Sequence, residues 1–95
     1  MKAAVRFGNV LKHHLSDPEQ AAKYLTECYD EGPEVFLQAL RDVVDAQGRM
    51  SRTAKLAGLN RERLYRQLSR RGNPRLASLN AALASLGLKL QFAAG

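Results

Sequence analysis

The chain has 95 residues, of which 45% are hydrophobic, 25% charged and 6% aromatic, and its net charge is +6. That length suits one small domain with a thin core. One cysteine excludes an internal disulfide framework, and the absence of Trp leaves little for single-strand recognition by stacked aromatic rings. Charge is unevenly divided: residues 1–49 hold 6 Lys+Arg against 8 Asp+Glu, whereas residues 50–95 hold 9 against 1. A chain with one acidic and one basic half points to two kinds of partner.

Residues 1–15 have no clear period and read as an irregular N-terminal arm. They contain no uninterrupted apolar run of signal-peptide length, and no later segment could span a bilayer, so a cytoplasmic protein without membrane attachment is expected. Two helix-start signals follow. Ser16 with Glu19 fits a capping box, and Asp17 before Pro18 fits a cap with proline at the first helical position. The helix should run to about Tyr29 with Ala21, Ala22, Leu25 and Cys28 or Tyr29 on one face. Asp30-Glu31-Gly32 breaks it. Pro33 opens a second helix that spaces Phe36, Leu37, Leu40, Val43 and Val44 and stops at Gln47-Gly48.

Ser51 can cap a third helix in which Ala54, Leu56 and Ala57 are small or apolar. Gly58 supplies the positive φ of an abrupt turn, Leu59 plugs it, and Asn60 caps a fourth helix with Leu64 and Leu68 facing inward. Asn73-Pro74 repeats the cap-plus-proline device, and Leu76, Leu79, Leu83 and Leu86 form an apolar stripe on a fifth helix ending at Gly87. Residues 88–92 alternate apolar and polar, the period of a half-buried strand. A lone strand needs a partner, so Leu88, Leu90 and Phe92 are expected to pair with a second copy, giving a homodimer. The other outcome is an extended tail on its own domain.

Residues 51–69 carry the functional signal. A helix-turn-helix needs a small residue at the helix crossing, a glycine at the turn and an apolar residue fixing the second helix; Ala54, Gly58 and Leu64 stand at those intervals. With Leu64 and Leu68 inward, Asn60, Arg61, Glu62, Tyr65, Arg66 and Ser69 are the candidate base contacts. Arg61 and Arg66 suit guanine or phosphate, and Glu62 could accept from a cytosine amino group or pair with Arg66 four residues on. Ser51, Arg52, Lys55, Arg63, Arg70, Arg71 and Arg75 are the candidate phosphate contacts. If about six engage, affinity should fall on the order of a thousandfold between low and physiological salt. No enzyme site can be assembled. His13 and His14 diverge on a helix and have no further pair to complete a metal site, Cys28 reads as core, and no phosphate loop or dinucleotide fingerprint occurs, so no cofactor is expected.

Across residues 16–92 these pieces resemble the addiction-module antidote proteins, HigA-like antitoxins of type II toxin–antitoxin pairs with a Cro/repressor-type (XRE-like) helix-turn-helix. The resemblance rests on Arg61-Glu62…Leu64-Tyr65…Leu68-Ser69, then Gly72-Asn73-Pro74, then Leu86-Gly87-Leu88-Lys89-Leu90. Arg71 and Leu76 depart from the family pattern, where an acidic or neutral residue and an aromatic are commoner. The resemblance implies an all-α, five-helix, lambda-repressor-like domain over residues 16–95 with a short C-terminal β-strand. It also implies a DNA-binding dimer that blocks a small basic RelE/HigB-type toxin and represses its own operon. The acidic N-terminal half is then the toxin-facing part, because opposite charge steers association. A stand-alone or phage-derived repressor without a toxin is the alternative.

Overall fold

Asp17 starts the first helix, its Oδ1 accepting from the Glu19 amide at 3.3 Å with Pro18 at the first helical position. Of the two expected start signals, the fold uses the aspartate. The computed structural model describes residues 15–69 and 71–95, so the expected arm lies outside the described residues apart from Leu15, which is buried. Helix α1 (Pro18–Glu31) buries Ala21, Leu25 and Cys28. Only Gly32, at φ 142°, separates it from α2 (Pro33–Ala46), so the chain reverses sharply and the two helices pack along each other. Helix α2 buries Ala39, Leu40, Val43 and Val44 with the expected period.

Helix α3 (Met50–Ala57) begins two residues earlier than expected. Arg49 holds the cap position without a side-chain bond, and Ser51 is an exposed residue of the first turn rather than the cap. Met50, Thr53 and Ala54 are buried, while Leu56 is exposed. Gly58 is left-handed at φ 71° and donates to the carbonyl oxygens of Ala54 and Lys55. The Leu59 amide also bonds the Ala54 carbonyl, at 2.8 Å, and its side chain is half-buried in the turn. Helix α4 (Arg61–Gln67) is capped by Asn60, whose Oδ1 accepts from the Arg63 amide at 2.8 Å. Leu64 and Leu68 are completely buried, as the spacing requires.

Helix α5 (Leu76–Ser85) departs from expectation at its N-terminal end and stops before the left-handed Gly87 as expected. Arg75, not Asn73, holds the cap position, and Leu76 is 65% exposed. The buried face is Ser78, Ala81, Ala82, Leu83 and Ser85, mostly small residues, which suits the close packing of α5 against α3. All described elements are helices, five in number, and they enclose one core whose largest fully buried side chains include Leu40, Met50, Leu64 and Leu68. The expected strand over residues 88–92 is not formed. After the left-handed Gly87 the Leu88 amide bonds the Leu83 carbonyl at 2.8 Å, Leu88 packs on the core, and residues 89–95 are exposed without secondary structure. The physical reason is that no second strand among the described residues satisfies its backbone groups.

Candidate nucleic-acid interface

With about 100° between successive residues, burial of Leu64 and Leu68 turns Glu62 and Arg66 to the outer side of α4, with Arg61 and Tyr65 on one flank and Arg63 and Gln67 on the other. Arg61, Glu62, Arg63 and Arg66 are all exposed. None of them pairs with an opposite charge among the described residues; the ion pair there joins Arg41 to Asp42 on α2. The salt bridge considered for Glu62 and Arg66 is therefore not made.

The other three candidate base contacts have internal partners. Asn60 uses its side-chain oxygen as the cap. The half-buried Ser69 donates through Oγ to the Arg66 carbonyl at 2.9 Å. Tyr65 is half-buried against the core, and its hydroxyl donates to Asp45 Oδ1 at 2.7 Å. The Arg61 guanidinium lies 5.8 Å from the centre of the Tyr65 ring, a cation–π distance. Of the candidate phosphate contacts, Ser51, Arg52, Lys55, Arg63, Arg71 and Arg75 are exposed and lack carboxylate partners among the described residues, while Arg70 lies outside them.

Two residues near α4 were not singled out from sequence. Asp45 belongs to the acidic half, yet the fold brings it to Tyr65. Gln67 joins α4 to the chain that follows: its Oε1 accepts from the Arg75 amide at 3.2 Å and from Ser78 Oγ at 2.6 Å. These partners are 8 and 11 residues away, so no local signal in the sequence marks the role.

A second feature is apolar. Leu25, Tyr29, Phe36, Leu79, Leu83 and the tail from Leu88 to Phe92 line a groove of about 490 Å³. Tyr29 and Phe36 meet edge-to-face at 5.4 Å, and Tyr29 and Phe92 are largely exposed, at 61% and 95%. The helix corner beside them carries exposed Asp30, Glu31 and Glu34, and residues 17–45 hold 8 acids against 2 bases. Beneath, burial pushes the Tyr24 phenol and the Cys28 thiol above their ordinary pKa values, and the proximity of Cys28 adds to the effect on Tyr24. Cys28 is thus a neutral core thiol.

A family model described as "Probable addiction module antidote protein" matches residues 7–94. An uncharacterized protein of Haemophilus influenzae is 39% identical over 79 residues, which cover 82% of this chain and 80% of the relative. The chain belongs to this antidote family. A toxin partner follows from that membership. No solved structure matches the antidote chain, and among the described residues no helix is long and apolar enough to cross a membrane.

Proposed function

We propose that this antidote is a HigA-like, sequence-specific double-stranded DNA-binding regulator. In this reading it neutralises a small basic RelE/HigB-type toxin and represses its own operon from the cytoplasm as a homodimer, without catalysis or cofactor. One observation carries the DNA reading: α4 buries Leu64 and Leu68 completely while leaving Arg61, Glu62 and Arg66 exposed and without charge partners. That is what a lambda-repressor-like helix-turn-helix, here α3 and α4, requires of its second helix. Arg61, Glu62 and Arg66 address base edges, with Asn60, Tyr65 and Ser69 shaping that surface through their internal bonds. Ser51, Arg52, Lys55, Arg63, Arg70, Arg71 and Arg75 hold backbone phosphates. Because one such domain reads a half-site, a twofold dimer binds a palindromic operator. The exposed apolar Leu90 and Phe92, next to Leu88, are the dimer contacts.

The toxin reading is supported by the acidic residues around the apolar groove of α1, α2 and the tail, which complement a cationic partner. The deciding experiment is a mobility shift of the full chain with its own upstream DNA at two salt concentrations, against scrambled competitor. Specific retardation that weakens steeply with salt is expected; equal displacement by scrambled DNA would refute sequence specificity. Replacing Asp30, Glu31 and Glu34 together with Lys should weaken capture of the small basic protein encoded beside it and spare DNA binding.

A further inference from the structure

Beside the outer face of α4 is a second, polar pocket of about 300 Å³, lined by Leu59, Arg63, Arg66, Gln67, Asn73 and Arg75. Arg63, Arg66 and Gln67 come from successive turns of one helix, and Arg75 returns from the segment after it. Gly72 makes that return possible. A Cβ there would overlap the backbone carbonyl oxygens of Arg66 and Gln67, so only glycine lets the chain fold back this closely. The Gly72 amide then bonds the Ser69 carbonyl at 2.8 Å.

The Gln67 carboxamide has one possible orientation. The Arg75 backbone amide can only donate, so the atom that meets it, and that also meets Ser78 Oγ, is the oxygen. Its amino group has no partner among the described residues and is the donor left for the pocket. Three arginines therefore line this small space with an amide donor and no carboxylate. Like charges held together without a counter-ion are unfavourable, and a planar guanidinium fork matches phosphate oxygens in particular.

We infer that Arg63, Arg75 and the Gln67 amino group form a preorganised binding pocket for a single phosphate, with Arg66 at its rim on the base-facing side. This rests on the DNA reading for the phosphate's source alone, a backbone phosphate flanking the groove that α4 enters. Gln67 acts twice. Its oxygen positions Arg75, and its nitrogen binds.

The test separates the two ideas. Gln67→Glu keeps an oxygen for Arg75 and Ser78 and replaces the donor with a second acceptor, so the fold should stay and phosphate should be repelled. In ¹⁵N NMR of the full chain, inorganic phosphate titrated against chloride at constant ionic strength should move the side-chain signals of Arg63, Arg75 and Gln67 well ahead of those of Arg52 and Arg71. Q67E should abolish that selectivity. In mobility shifts Q67E should weaken binding to operator and scrambled duplex alike, by about tenfold, and lower the log–log salt slope by about 1. If the wild-type chain binds no DNA yet phosphate titrates the pocket selectively, the DNA reading fails and the pocket stands as a site for a free phosphate-bearing ligand. Shifts spread evenly over all exposed arginines, or a Q67E chain that titrates like wild type, would overturn the pocket.

Discussion

Tyr65 on α4 donates its hydroxyl to the Asp45 carboxylate on α2 at 2.7 Å, which ties the basic helix to the acidic half of the chain. The bond places a negative charge on the flank of α4 where Arg61 lies over the Tyr65 ring. Asp45→Asn keeps an acceptor for the hydroxyl and removes the charge. Its affinity for DNA of any sequence should rise a few-fold, measured by fluorescence anisotropy at low salt, with the difference shrinking as salt screens it. Tyr65→Phe should cost about 0.5–1.5 kcal/mol in urea unfolding, toward the lower end because the bond is solvent-exposed.

Arg61 and Arg66 are exposed without carboxylate partners among the described residues, on opposite sides of the axis through Glu62. Arg61→Ala and Arg66→Ala should each weaken operator binding by about 1–3 kcal/mol, roughly 5- to 150-fold, while toxin capture is retained. Loss of toxin capture together with DNA binding would mean that one surface serves both partners. Competition binding with the two ligands measures this directly.

Glycine is required at two places for different reasons, and alanine separates them. At Gly58 a Cβ meets nothing within 4 Å, so Gly58→Ala suffers the left-handed backbone alone, a cost of about 1–2 kcal/mol. At Gly72 the backbone is not left-handed, but the new carbon would overlap two carbonyl oxygens. Gly72→Ala must displace the 72–75 segment, at about 1–3 kcal/mol. It should also lower DNA affinity by moving Arg75, whereas any loss with Gly58→Ala should follow its loss of stability. Denaturation midpoints and anisotropy on the same variants check both statements.

Raised pKa values for buried Cys28 and half-buried Tyr24 predict instability at alkaline pH. Both groups are held neutral in the fold, so the unfolded chain loses these protons at lower pH than the folded one. Stability is therefore complete below the ordinary thiol value of about 9.0 and declines above it, first through Cys28 and then, from about 10.0, through Tyr24. The melting temperature of wild type should fall more steeply from pH 8.5 upward than that of the double variant Cys28→Ala/Tyr24→Phe. Parallel profiles would remove both groups as the cause.

The helices were legible wherever local chemistry is sufficient. Asp17-Pro18, the Gly58 turn, the Asn60 cap and the inward Leu64 and Leu68 are all short-range devices, and each was found where its spacing put it. The fifth helix misled only at its start, since Leu79, Leu83 and Leu86 of its expected stripe pack on the core. Its leucine stripe suggested a buried face that included Leu76, whereas packing against α3 favours the small residues Ser78, Ala81 and Ala82. The terminal strand failed for a related reason, since alternation describes a side-chain pattern and says nothing about whether a backbone partner exists.

The composition and order of residues were enough to establish five helices and acidic and basic halves, because capping, periodicity and charge act within a few positions. Which arginines line one pocket, and which acid meets Tyr65 on the other flank of α4, were settled only when the chain closed on itself. Gln67 met Arg75 and Ser78, and Asp45 met Tyr65, through contacts 8 to 20 residues apart. Such contacts depend on how the helices pack, a property of their combined surfaces that no single segment carries.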